Sequence, residues 1–320
     1  MPLHILNLRE SSYAGGVTKD TISPFPALTS SELLLLIHGY NDGLMEAREA
    51  YASFLNPSFD QELVRSLPPN AWMAYINALQ GETLDSFAQS REVCLVFWPG
   101  DVFGRTISAA AYGPEIEMAR QSAHALANFL IEFAATAPGN CPAQFTLVCH
   151  SLGNRLGLEM LKALNQSVPC RAMCLMAAAV AVSMATGITS PDFSATIRGI
   201  DKSLALYSDC DSVLTYAFPL GEAASGEGSD LEAIGHLGNP SVGLWTERDD
   251  MHPYGHGDYW LANPSAAGVT SRDLILKFLG TPAPGTLSVS EIASNPGAPE
   301  ASIATNQLNT HSISTHRLGS

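Results

Sequence analysis

The sequence predicts an α/β fold: a mostly parallel central sheet with helices on both faces. Three observations carry that expectation. Apolar runs of strand length recur along the chain, helical patterns separate them, and the runs stop abruptly at His, Gly, Pro or Asp. A run that is apolar at nearly every position suits a strand covered on both sides, as strands of a parallel sheet are. A length of 320 residues with 46% hydrophobic content is enough for a large core.

In chain order, "ELLLLIHGY" is the first such strand, ending in His38-Gly39-Tyr40-Asn41, and "GLMEAREAYASFL" (43–55) reads as the helix after it. Residues 56–90 fit no single element, although "LPPNAWMAYINALQ" has helical periodicity within an unusually long connection. "EVCLVFWPGD" is the next strand and stops at Pro99-Gly100. Residues 114–135 form the clearest helix, with Pro114 at its first position and Ile116, Ala119, Ala123, Leu126, Phe129, Leu130 and Phe133 near one face. "QFTLVCH" and "NRLGLEMLKALN" give another strand and helix; "RAMCLMAAAV", "KSLALYS" and finally "SVGLWTE" give further strands. From residue 281 the chain becomes rich in Ser, Thr, Pro, Gly and Ala without apolar periodicity. The expected organisation is therefore one domain over 1–280 and a flexible tail over 281–320.

The formal charge of −15 arises from scarce basic residues, 16 Lys plus Arg, and argues against a nucleic-acid or anionic-membrane surface. No apolar stretch is long enough for a membrane span. The first ten residues, "MPLHILNLRE", lack the basic start and apolar core of a secretory signal. The six cysteines lack the paired spacing of a zinc site, and several sit inside apolar runs. Buried free thiols in a cytoplasmic protein are the expectation.

The chemistry concentrates at "LVCHSLGNRLG" (147–157), where a strand gives way to a helix at one hydroxyl, Ser151. Such a turn lifts Oγ out of the sheet edge, and the helix start adds free N–H groups and the positive end of a dipole. It needs small residues two before and two after the serine; here they are Cys149 and Gly153, so C-H-S-L-G stands where G-x-S-x-G is usual. A serine nucleophile also needs a base and an acid, in the chain order serine, acid, histidine. "LALYSDCDSVL" offers Asp209 and Asp211, and "HPYGHGDYW" offers His252 and His256 in a Gly-rich loop. His38 ends a strand and suits a local structural hydrogen bond. The run "ERDDMHPYGHGD" also contains metal-ligand types, Asp249, Asp250, His252, His256 and Asp258, but its Pro and Gly residues oppose the helix that H-x-x-x-H ligation uses, so no metal is expected.

The segments "IHGYN", "VFWPGD", "CHSLGNR", "YSDCDSVL", "AIGHLGNP" and "GHGDYW" resemble the α/β-hydrolase superfamily. They are most similar to bacterial esterase/lipase-like hydrolases whose serine corner reads H-S-[ML]-G-N-R, over residues 33 to 260. The resemblance implies an α/β-hydrolase fold with Ser151 as nucleophile and His256 as base; the short stretch between the strands "RAMCLMAAAV" and "KSLALYS" is too small for a large lid, so a small or absent cap is expected. The resemblance also favours Asp211 over Asp209 as the acid, through "DSVL", and places the oxyanion donors on the backbone N–H groups of Leu152 and of Tyr40 or Asn41. The expected activity is cleavage of small-molecule carboxylic esters without a cofactor; the alternative is a non-catalytic binding module on the same scaffold. Oligomeric state stays open.

Overall fold

The computed structural model describes residues 3–9, 32–40, 43–56, 59–68, 71–72, 75, 91–101, 109–136, 144–227, 231–240, 243–261 and 263–280. The expected flexible tail over 281–320 lies outside the described residues.

Seven strands form one sheet in which every pairing is parallel: β1 (Leu3–Asn7), β2 (Glu32–Ile37), β3 (Glu92–Phe97), β4 (Gln144–His150), β5 (Cys170–Met176), β6 (Lys202–Tyr207) and β7 (Glu247–Asp250). Their order across the sheet is β1-β3-β2-β4-β5-β6-β7. β2 and β3 are buried at all six positions, as unbroken apolar runs require of strands covered on both faces. Between the strands run α1 (Leu44–Leu55), α2 (Gln61–Ser66), α3 (Ala109–Thr136), α4 (Gly153–Leu164), α5 (Val182–Thr186), α6 (Ser194–Arg198), α7 (Phe218–Ser225), α8 (Ile234–Leu237) and α9 (Ser271–Gly280). α3, α4 and α7 pack together as one group, while α1 and α9 meet at a 3-10 turn, Asp258–Trp260, as another. The buried apolar side chains form one continuous core.

Four expectations need correction. β1 was not foreseen: its five residues bury His4 and Leu6 while Ile5 and Asn7 stay half-exposed, an edge-strand alternation too short to stand out in sequence. The last strand is Glu247–Asp250, not "SVGLWTE"; charged residues pair with Leu204–Tyr207 and blunt the open edge, while Trp245 packs against the core just before it. α3 starts five residues before Pro114, which lies inside the helix. The extra turn is held by Tyr112, buried edge-on to both Tyr40 and Phe218. In the connection of residues 56–90, the sequence "QELVRS" is a helix capped by Asp60, which accepts the Leu63 N–H at 3.0 Å; most of "LPPNAWMAYINALQ" lies outside the described residues.

The connection between β5 and β6 carries only the two five-residue helices α5 and α6. After β6 the chain forms a π-helical turn (Val213–Ala217) that runs into α7, which packs on α3; Tyr112 Oη lies 3.3 Å from Glu222 Oε1. No helix among the described residues is long and apolar enough to cross a membrane.

Candidate active site

β4 ends at His150, and the chain turns at Ser151 with φ of +53°, a left-handed backbone uncommon outside glycine. The turn is held on three sides. Ser151 N–H donates to Met176 O at 3.0 Å, Ala179 N–H donates to Ser151 O at 3.2 Å, and the Asn154 amide bridges Ser151 O and Met176 O at 3.0 and 3.1 Å. Strand β5 and the first turn of α4 thus fix the angle at which Oγ leaves the sheet edge.

Gly153 is required by space. A Cβ there would lie 2.4 Å from His38 O and 2.9 Å from Ile37 O, because α4 starts directly against the end of β2. Cys149, two residues before the serine, is fully buried beneath α4; a Cβ at Gly157 would approach its Sγ to 3.1 Å. The thiol is accommodated because glycine faces it.

Ser151 Oγ is 2.8 Å from His256 Nε2, and His256 Nδ1 is 2.7 Å from Asp211 Oδ2. The carboxylate accepts the Nδ1 proton, which leaves Nε2 free to accept from the serine. Asp211 is fully buried, and its second oxygen accepts the N–H groups of Val213 and Leu214, each at 3.0 Å, so the start of the π-helical turn orients the carboxylate. Asp209 takes no part. Its Oδ1 is 2.9 Å from His252 Nδ1 on the exposed side of the same loops. The two histidines of "HPYGHGDYW" therefore turn in different directions and do not share a ligand point.

His150 was not singled out by sequence reasoning, although it directly precedes Ser151. Its Nε2 donates to the backbone carbonyl of His256 at 2.7 Å, and the two rings lie 5.0 Å apart. The ring is buried beside Tyr259 and Trp260. Burial, and then the neighbouring His256, hold its pKa well below the ordinary histidine value, so it is a neutral donor that fixes the loop bearing His256.

His38 is likewise a structural ring. Nδ1 donates to Gly39 O at 3.0 Å, Nε2 accepts the Trp98 N–H at 3.2 Å, and the imidazole stacks on Trp98. Burial drives its pKa from 6.5 down to about 3. With Tyr51, whose hydroxyl accepts the His38 N–H at 3.0 Å, it ties together the ends of β2 and β3 from which Tyr40 follows. The backbone N–H groups of Tyr40 and Leu152 donate to no other group among the described residues. Asn41 lies outside them.

No curated protein matches the chain. A family model described as "Alpha/beta hydrolase of unknown function (DUF900)" matches residues 19–203, more than half of the sequence. The matched stretch contains the serine corner and the strands on either side of it, and ends within β6, before Asp211 and His256. A parallel sheet with a strained serine corner at the end of its central strand is the scaffold such a match implies, and the chain belongs to this family of α/β hydrolases.

Proposed function

We propose that the protein is a serine hydrolase that cleaves carboxylic esters through an acyl-enzyme on Ser151. The observation that carries this reading is the unbroken relay of Ser151, His256 and Asp211, with contacts of 2.8 and 2.7 Å between groups 105 and 45 residues apart in sequence. A chance surface contact would not also bury the acid completely and cap it with two backbone N–H groups.

In the reaction, His256 Nε2 takes the Ser151 proton as Oγ attacks the acyl carbon. The backbone N–H groups of Leu152 and of Tyr40 or Asn41 receive the negative charge on the former carbonyl oxygen. His256 returns the proton to the departing alcohol. Water, deprotonated by the same ring, then attacks the acyl-serine and releases the acid. The chemistry calls for no cofactor. The short α5 and α6 leave little material for a cap, which favours short or exposed acyl groups over long chains.

The test is hydrolysis of p-nitrophenyl esters of graded chain length, beside labelling by a fluorophosphonate. The expected result is turnover highest on short acyl chains, covalent labelling at Ser151, and loss of both in Ser151→Ala. A protein that neither labels nor turns over any of these esters would be a binding module on the same scaffold.

A further inference from the structure

The loops that carry Asp211 and His256 also gather three side chains that ester hydrolysis does not use. Asp209 and Cys210 follow β6, and His252 follows β7. His252 Nδ1 lies 2.9 Å from Asp209 Oδ1 and 3.3 Å from Cys210 Sγ, and the three atoms all lie within 4.8 Å of one another. All three residues are open to solvent. Cys210 differs in this from Cys94, Cys149, Cys170 and Cys174, which are buried.

The backbone beneath the cluster is held by hydrogen bonds from both loops. Fully buried Ser208 accepts the Cys210 N–H at 3.2 Å and donates to Tyr254 O at 2.8 Å. Met251 N–H donates to Tyr207 O at 2.7 Å, and His252 N–H donates to Asp250 Oδ1 at 2.9 Å. Two loops some 42 residues apart in sequence are therefore stitched together on both sides of the three donors.

An ion pair between Asp209 and His252 would need no third member, and a thiol is a weak hydrogen-bond partner. A sulfur, a ring nitrogen and a carboxylate oxygen converging on one point form the donor set of a borderline-soft ion; magnesium and calcium take oxygen. Tetrahedral zinc, with bonds of about 2.0–2.3 Å, separates its donors by about 3.3–3.8 Å. The observed spacings reach that range by small rotations of exposed side chains.

We propose that Asp209, Cys210 and His252 form a zinc-class transition-metal site with its fourth position open to water, and that metal there clamps the loop of Asp211 to the loop of His256. Binding would displace the thiol proton and leave the imidazole neutral, so it releases protons and strengthens as pH rises. The site stands on its own geometry and does not depend on the hydrolytic reading.

The test uses the full chain, reduced and stripped with a chelator, then titrated with Co²⁺ alone. The expected result is one ion per chain with thiolate-to-cobalt charge-transfer absorption, displaced by Zn²⁺, and a Zn²⁺-dependent rise in Tm. Cys210→Ser should abolish the absorption. His252→Ala should weaken binding by at least about tenfold, since even changes beyond the ligands do that much. Cys141→Ser, at the cysteine outside the described residues, should alter neither. Absence of the absorption in the native chain, its survival in Cys210→Ser, or unchanged affinity in His252→Ala would overturn the proposal. The Tm of each variant without metal establishes that it folds.

Discussion

Gly153 and His150 flank the serine and serve it in different ways. At Gly153 a methyl group would meet two backbone carbonyls, His38 O and Ile37 O, neither of which can rotate aside. Gly153→Ala should therefore pry α4 from β2, destabilise the fold by about 1–3 kcal/mol, and sharply reduce fluorophosphonate labelling of Ser151. A variant that labels at the native rate would show the corner to be looser than these distances imply. His150 acts through His256, the proposed base: its ring donates to the His256 carbonyl at 2.7 Å. His150→Phe keeps the aromatic packing but loses the donor, so the base should drift, kcat should fall by about tenfold to a hundredfold and KM should hold. His150→Gln restores an N–H and should recover part of kcat. Equal losses in both variants, or a loss in KM alone, would mean the ring only fills space. Fixed chain order singles out Ser151 and His256 in the sequence but leaves Asp209 beside Asp211, and only the resemblance favours Asp211; the fold brings Asp211, not Asp209, within hydrogen-bond distance of His256. The pairing of His150 with His256 was not legible, because it links a side chain to a carbonyl 106 residues away and carbonyls leave no mark in a sequence.

The interior strands were legible from their burial. β2 and β3 are buried at every position and β4, β5 and β6 at all but one, and burial of that kind leaves runs that are mostly apolar. The edge strands β1 and β7 obey other demands, alternation in one and charge in the other, so their pairing partners had to be known first. The same limit hid the contact between α4 and the segment after α7. Arg155, almost fully buried in α4, reaches Glu227 at 2.6 Å and Glu159 at 3.1 Å, while its guanidinium lies over the Phe193 ring. Arg120 of α3 binds Glu227 from the other side at 2.5 Å. Burial alone would raise the Glu227 carboxyl, but Arg155 and Arg120 outweigh it and hold the pKa below the ordinary 4.5. Arg155→Met should lower stability by less than the about 3–5 kcal/mol of a fully orphaned buried charge, because Arg120 still pairs with Glu227. Urea unfolding of Arg155→Met and of Arg155→Met with Arg120→Met checks this. If the second change adds nothing to the first, the two cations do not share the load.

For the molecule as a whole, the two neutral rings at the ends of β2 and β4 set the response to mild acid. His38 and His150 are both buried, and both have pKa values pushed down, His38 to about 3. A depressed folded value means the unfolded chain takes up protons that the native chain refuses. The stability contributed by each ring is therefore complete above the unfolded value of about 6.5 and is lost as pH falls below it, continuing for His38 until about 3. One refused proton weakens the folding equilibrium tenfold per pH unit, so the pair should weaken it about a hundredfold per unit between roughly pH 6 and pH 5. His252 has the opposite sign. Asp209 raises its pKa, so its small contribution is present below 6.5 and fades as pH rises, which places it above this window. Glu227, held low by its arginines, loses its contribution only as pH drops through the carboxylate range below 4.5. Of the three described histidines with displaced pKa values, His38 and His150 are the two that act in this window. Denaturant titrations at half-unit intervals should give a slope about tenfold per pH unit steeper in the native chain than in His150→Phe. Equal slopes would mean that His150 takes up its proton within the folded protein, and a charged ring there could not remain packed beside His256 as a neutral donor.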